Sequence, residues 1–182
     1  RDLAIVEGVM GLYDGLGGTE ETASAYHLAK TLQMPILLVV DVHGMGRSVL
    51  AEIMGFLSMD EAHLIRGVLL NRCSASFYEK LAPLLEKHLD IPVVGYFPVR
   101  KDLQFQSRHL GLQLPDEIED IKHTLWAIAE QMEASVALDR ILQLAEDAPL
   151  LSMDEKLYTQ MLPKQKSSEM QVKIAEIGRA HV

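Results

Sequence analysis

The chain has 182 residues, of which 48% are hydrophobic, 24% charged and 5% aromatic, as in a packed globular domain rather than a disordered chain. The formal net charge of −9 makes nucleic acid and anionic membranes poor partners, so a small-molecule ligand is expected. No apolar run approaches the span of a bilayer, and the single cysteine fits a reducing compartment, so the expected location is the cytoplasm.

The two ends of the chain are unusual. The sequence opens at Arg1 without a methionine and is inside an apolar run by Leu3, so we expect further residues upstream. Residues 176–182 read EIGRAHV, which a widely used sequencing adapter encodes in one frame, and we interpret them as an artefact. The chain is therefore expected to be an internal segment of a longer protein.

Four short apolar runs without polar alternation predict buried parallel strands. They lie at residues 3–6, 36–40, 65–70 and 91–95. Segments with helical spacing separate them, and Thr19 is the predicted N-cap of the first helix. This alternation predicts an α/β fold, a three-layer parallel sheet flanked by helices on both faces.

The second half of the chain is predicted to close the domain and then lose regular structure. A longer amphipathic stretch from residue 115 to about residue 144 predicts one helix. Periodicity fades over residues 147–175, which Pro149 and Pro163 interrupt. We therefore predict a folded region at 1–146 and a linker at 147–175.

Ligands of open parallel sheets bind beyond the carboxyl ends of the strands, so the residues after each apolar run are candidates. Glu7 follows the first run and is a candidate Mg²⁺ ligand, while Gly8 lets the backbone approach a ligand closely. Asp14, between Tyr13 and Gly15, is a second carboxylate for the same crevice. The alternative, favoured by composition alone, is a glycine-rich turn with a solvated aspartate.

The next two runs also end in polar residues. Asp41 has the position of a strand-end acid, and Ser48 starts the following helix, although either residue also fits a cap. Asn71 offers a donor and an acceptor together, as recognition of an adenine edge requires, but asparagine is also a routine turn residue. Cys73 is interpreted as a small buried residue.

After the fourth run come Phe97 and Pro98, and then the segment RHLGL at residues 108–112. The pair Arg108 and His109, beside a glycine turn, is a candidate clamp for an anionic group. A structural histidine is the alternative.

Six stretches of this sequence, taken together, resemble cobyrinic acid a,c-diamide synthase. They are VEGVMGLYDG at 6–15, AKTLQMPILLVVD at 29–41, GMGRSVLAEIMGF at 44–56, GVLLNR at 67–72, IPVVGYFP at 91–98 and RHLGL at 108–112. The related cobyric acid synthases and dethiobiotin synthetases also have an acid and a glycine after the first run, but VMGLYDG is the a,c-diamide form. Partitioning ATPases share the fold but not RHLGL.

The resemblance implies a P-loop NTPase fold of the dethiobiotin-synthetase-like type and a ligase of cobalamin biosynthesis. Such an enzyme uses ATP with Mg²⁺, and ammonia from glutamine, to amidate the a and c acetate carboxylates of cobyrinic or hydrogenobyrinic acid through an acyl phosphate. By resemblance, Glu7 would be the metal ligand and Asp14 would orient the corrinoid or its activated carboxylate, both as catalytic residues. Asn71 would recognise adenine, with Pro98 packing near the base.

The resemblance also implies that Gly8 binds the nucleotide and that Tyr13, Arg108 and His109 bind the corrinoid. A complete family member also has an upstream phosphate loop with G-K-[ST] and a downstream glutamine amidotransferase domain, and these 182 residues contain neither. We therefore expect residues 1–146 to be a partial ATP-binding domain without synthase activity of its own. The rival hypotheses are a nickel-sirohydrochlorin a,c-diamide synthase and a nucleotide-dependent switch or binding module.

Overall fold

The structure is a computed structural model and describes residues 3–103 and 121–149. Its three strands form one parallel sheet in the order β1-β2-β3, with β1 at Ile36–Asp41, β2 at Ile65–Asn71 and β3 at Val93–Phe97. The α-helices are α1 at Ala25–Leu32, α2 at Ser48–Met59, α3 at Ala75–His88, α4 at Ile121–Ser135 and α5 at Leu138–Glu146. Arg108, His109 and the segments 115–120 and 150–182 lie outside the described residues.

Helices pack on both faces of the sheet, although Val39 of β1 stays 56% exposed. On one face, Leu38, Val40, Val68, Leu70 and Val93 pack with apolar side chains of α2 and α3, among them Val49, Ile53, Leu81 and Leu85. On the other face, Leu69 and Val94 pack with Met132, Val136 and Ile141, which belong to α4, α5 and the junction between them. The predicted α/β sheet flanked by helices is therefore confirmed.

The predicted first strand, at residues 3–6, is wrong. This segment has no regular secondary structure, and Ile5 and Val6 are 86% and 51% exposed. A strand is held by ladder hydrogen bonds to a neighbour, and none of the three described strands pairs with these residues. Apolar composition indicates a tendency to be buried but does not by itself provide a pairing partner.

Two helix predictions also need correction. The first helix begins at Ala25 rather than after Thr19, because the Ser24 side chain accepts the main-chain N–H of His27 at 3.0 Å. The single helix predicted from residue 115 to about 144 is two helices, α4 and α5, where it is described. Between them Val136 bridges to Gly95, and the N–H of Ala137 donates to Val94 O at 2.7 Å, so the helical bonds are interrupted.

Within the described ranges, no helix has the length and apolar character that crossing a bilayer requires.

Candidate functional site

The carboxyl ends of the three strands meet at one edge of the sheet, here called the carboxyl edge. Asp41 of β1 is opposite Asn71 of β2, and Asn71 is opposite Phe97 of β3. Asn71, Phe97 and the following Pro98 are half-buried, whereas Asp41 is exposed. Because the strands are parallel, three separate sequence positions form one continuous row, as was predicted for Asp41 and Asn71.

The main chain at Asn71 is held from both sides. Its carbonyl oxygen accepts the N–H of Val42 at 3.0 Å, and the N–H of Cys73 donates to Phe97 O at 3.0 Å. No hydrogen bond between described residues uses the donor and acceptor groups of the Asn71 carboxamide.

An ion pair that the sequence did not reveal lies beside Asn71. Arg72 Nε donates to Asp41 Oδ1 at 2.8 Å, and Arg72 Nη2 binds Asp41 Oδ2. The main-chain N–H of His43 also donates to Asp41 Oδ1, at 3.0 Å. Arg72 and then the His43 N–H hold the pKa of Asp41 below its ordinary value.

Cys73 is a buried residue of the core, as the sequence suggested. Its side chain packs in the cluster formed by α2, α3 and one face of the sheet, and it is 1% exposed. Burial raises the pKa of the thiol, which disfavours the nucleophilic thiolate.

A second polar cluster lies at the opposite, amino edge of the sheet. Asp60 is 3% exposed and accepts the Tyr26 hydroxyl at 2.9 Å and the N–H groups of Leu64 and Ile65 at 2.9 and 2.7 Å. The Tyr26 hydroxyl in turn accepts the N–H of Ala62 at 3.0 Å. Burial, and then Asp60, raises the pKa of Tyr26, so the hydroxyl stays protonated and can donate.

Tyr13 belongs to this amino edge. Its hydroxyl donates to the carbonyl oxygen of Phe56 at 2.7 Å, near the end of α2, and its ring lies 4.9 Å from the ring of Tyr26. Burial raises the pKa of Tyr13 well above its ordinary value. β2 has seven residues, so its two edges are about 20 Å apart, and the structure does not bring Tyr13 together with Asn71.

The predicted residues Glu7, Gly8 and Asp14 lie outside the sheet. Glu7 is exposed, and a Cβ added to Gly8 would lie 3.0 Å from Ala25 Cβ, so the backbone here is close to the start of α1. The N–H of Asp14 donates to Gly11 O at 3.0 Å in a turn, and the Asp14 carboxylate covers the face of Gly11 where a Cβ would be. Asp14 follows Tyr13 directly and is exposed.

The predicted ligand of Mg²⁺ is the single carboxylate of Glu7. Among residues 3–103 and 121–149, no three histidine, cysteine or acidic side chains are grouped closely enough to hold a metal ion. In nucleotide sites Mg²⁺ takes one or two carboxylates and completes its shell with phosphate oxygens and water. Glu7, an exposed carboxylate that no described hydrogen bond engages, fits that requirement.

Two features of these polar clusters were not predicted from the sequence. The pairing of Arg72 with Asp41 joins residues 31 positions apart, and only the register of β1 and β2 brings them together. The role of Asp60 could have been predicted locally, because a short acidic side chain between a helix and the next strand often accepts nearby main-chain N–H groups. Here Asp60 accepts the N–H groups four and five residues ahead.

The fold and the strand-end residues define a class: an α/β protein with a parallel sheet and a row of polar and aromatic side chains at its carboxyl edge. The chain is 38% identical over 152 residues to the cobyrinate a,c-diamide synthase of Dehalococcoides mccartyi (strain CBDB1), covering 83% of this chain and 33% of that protein. It is 37% identical over 145 residues to the enzyme of that name from Limosilactobacillus reuteri (strain DSM 20016), covering 79% and 32%.

A third relative, the cobyrinate a,c-diamide synthase of Picrophilus torridus, is 34% identical over 159 residues, which are 87% of this chain and 36% of the relative. The predicted resemblance is confirmed: most of this chain is homologous to part of the cobyrinate a,c-diamide synthases. The chain spans about a third of the length of these relatives. No protein-family model and no solved structure matches it.

Proposed function

We propose that this chain is part of an ATP-dependent ligase that amidates the a and c acetate carboxylates of cobyrinic or hydrogenobyrinic acid in cobalamin biosynthesis. Glutamine supplies the ammonia. The supporting observation is the identity of 34–39% to proteins named cobyrinate a,c-diamide synthase, over about four fifths of this chain.

The proposed chemistry follows from the weak reactivity of a carboxylate. A carboxylate oxygen attacks the γ-phosphorus of ATP and ADP leaves, which gives an acyl phosphate; ammonia then attacks the carbonyl carbon and phosphate leaves. When bound, Mg²⁺ supplies positive charge that offsets the charge on the phosphate oxygens. Such a reaction depends mainly on positioning the reactants, which suits residues at the ends of a rigid sheet.

The roles of Asn71 and Pro98 at the carboxyl edge are proposed on geometry and resemblance together, whereas the roles of Glu7 and Gly8, which lie near the start of α1, rest on the resemblance. Asn71 recognises the adenine edge with its carboxamide, which no hydrogen bond between described residues uses, and Pro98, which follows Phe97, packs near the base. Gly8 lets the main chain approach the nucleotide, and Glu7 holds Mg²⁺ through its carboxylate.

The corrinoid contacts are proposed for Asp14, Tyr13, Arg108 and His109. In this structure Tyr13 donates to Phe56 O at the amino edge, about 20 Å from the carboxyl edge, so its proposed role, like that of Asp14, rests on the resemblance. Arg108 and His109 are outside the described residues, and their role rests on the resemblance alone.

The proposed domain organisation follows the family pattern. Residues 1–146 form part of an ATP-binding domain of the P-loop, dethiobiotin-synthetase-like type, 147–175 lead toward a glutamine amidotransferase domain, and 176–182 derive from a sequencing adapter. Because no G-K-[ST] occurs in the 182 residues, we expect this chain alone to show no synthase turnover.

The experiment that tests this organisation is to sequence the parent DNA outward from both ends of the coding segment. A strand, a G-K-[ST] loop and a helix upstream, with a Cys/His amidotransferase replacing EIGRAHV downstream, would support the proposal. An open reading frame that starts near Arg1 and stops near Val182 would contradict it and favour a binding module.

The residue roles are tested in the complete protein by three variants. Glu7→Gln should abolish ATP-dependent amidation, whereas Glu52→Gln, the same change at an exposed glutamate of α2, should not. Asn71→Ala should raise the KM for ATP with little change in the KM for the corrinoid. An unchanged ATP affinity in Asn71→Ala would remove the adenine role.

A further inference from the structure

The ion pair of Arg72 and Asp41 has the geometry of an orienting contact. Two parallel bonds join the guanidinium to the carboxylate, Nε to Oδ1 at 2.8 Å and Nη2 to Oδ2. Because both groups are planar, two bonds fix their relative angle as well as their distance. The His43 N–H, at 3.0 Å from Oδ1, fixes the carboxylate further.

The same residues are joined through the main chain. Asn71 O accepts the Val42 N–H at 3.0 Å, so the turn after β1 is bonded both to Asn71 and, through Asp41, to the Arg72 side chain. Arg72 has a φ of 53°, in the left-handed region that residues other than glycine rarely adopt. The contacts around Arg72 therefore have to stabilise this main-chain conformation. The conformation of Arg72 in turn sets the direction of the chain directly after Asn71.

We propose that Asp41 and Arg72 are positioning residues for base recognition: their ion pair fixes the angle at which the Asn71 carboxamide meets a purine base. The inference rests on the proposed function, in which Asn71 recognises adenine. A carboxamide accepts from the adenine amino group and donates to a ring nitrogen, and hypoxanthine reverses that pattern. Hydrogen bonds weaken steeply with misalignment, so selectivity between the two bases depends on the orientation of Asn71.

An ordinary surface ion pair is the competing explanation. The Arg72 and Asp41 side chains are 47% and 46% exposed, and exposed pairs contribute little to stability. The two explanations differ in what removal of the pair changes. A surface pair would leave base selectivity intact, whereas a positioning pair would change selectivity more than stability.

The test is an NMR titration of the ¹⁵N-labelled complete protein encoded by the parent gene with adenosine and, separately, with inosine. The signal followed is the Asn71 side-chain amide, which is assigned by its absence in Asn71→Ala. The variants are Arg72→Ala and the exchange of charges, Asp41→Arg with Arg72→Asp. Arg66→Ala, at an exposed arginine in β2 away from the carboxyl edge, is the matched control.

The wild-type chain and the control should prefer adenosine to inosine. Arg72→Ala should lower that preference by roughly fivefold, within the range of couplings between residues in contact, while its urea midpoint stays near that of the control. The exchanged pair should restore the preference, because aspartate tolerates the left-handed conformation at position 72. If Arg72→Ala does not fold, the base preference of the exchanged pair still tests the inference.

The outcomes that overturn the inference can be told apart. If adenosine shifts the Asn71 amide and Arg72→Ala keeps the full preference, the positioning role is wrong and the adenine assignment stands. An exchanged pair that folds but does not recover the preference also contradicts the positioning role. If adenosine does not shift the Asn71 amide in the complete wild-type protein, the adenine assignment is wrong, and the role of the ion pair is wrong with it.

Discussion

Removal of the Asp60 carboxylate should destabilise the chain more than any comparable change on its surface. Asp60→Ala leaves two fully buried donors without an acceptor, the Tyr26 hydroxyl and the Ile65 N–H, and a partly buried third, the Leu64 N–H. Hydrogen bonds to a charged group contribute about 1.5–3 kcal/mol each, so the two buried ones predict a loss of about 3–6 kcal/mol. Such a loss is a large part of the stability of a domain, about 5–15 kcal/mol.

The assay is urea unfolding of the 182-residue chain at neutral pH, followed by circular dichroism. Glu61→Ala, at the adjacent exposed acid, is the control and should change the free energy of unfolding by less than about 0.5 kcal/mol. Tyr26→Phe removes one donor to Asp60 and the acceptor of the Ala62 N–H, and its loss of unfolding free energy should lie between the other two. An Asp60→Ala variant that loses no more unfolding free energy than Glu61→Ala would show that these buried hydrogen bonds do not stabilise the chain.

Two further predictions concern Gly95 and Asp41. Gly95→Ala should lower the free energy of unfolding by about 2–5 kcal/mol, because φ is 148° and the added Cβ would overlap the main chain at Val136. The control, Gly55→Ala in α2, has open space around it and should raise the free energy of unfolding by up to about 1 kcal/mol. Equal urea midpoints for the two variants would contradict this prediction. Because the Arg72 side chain lowers the folded-state pKa of Asp41, the stability due to this pair is present above about pH 4, the unfolded value, and is lost as pH falls through the folded value. In a carboxyl ¹³C titration, Arg72→Ala should move the Asp41 midpoint upward, and an unmoved midpoint would show that the pair does not form in solution.

The strands and their ends could be predicted because burial leaves a direct trace in the sequence. The runs around Val40, Leu70 and Val94 lack polar alternation, as strands covered on both faces do, and parallel strands necessarily bring Asp41 and Asn71 to one edge. The segment 3–6 has the same composition but no strand beside it. Strand formation needs a partner, and the composition of a run does not specify one.

The remaining features depend on contacts between distant residues. The break between α4 and α5 arises where Val136 meets Gly95, 41 positions earlier, so the local helical periodicity could not show it. Tyr13 was expected beside a ligand because of its motif, yet its hydroxyl bonds Phe56 O at the end of α2. The same limit applies to the pairing of Asp41 with Arg72, which follows from strand register rather than from spacing.

The most direct test of the proposed function is mass spectrometry of cobyrinic acid after incubation with ATP, glutamine, Mg²⁺ and the protein encoded by the complete parent gene. Nickel-sirohydrochlorin is the parallel substrate, and the 182-residue chain alone is the matched control. We predict conversion of two carboxylates of cobyrinic acid to carboxamides by the complete protein and no conversion by the control. Diamidation of nickel-sirohydrochlorin alone, or ATP binding without amidation of either tetrapyrrole, would contradict the proposed function.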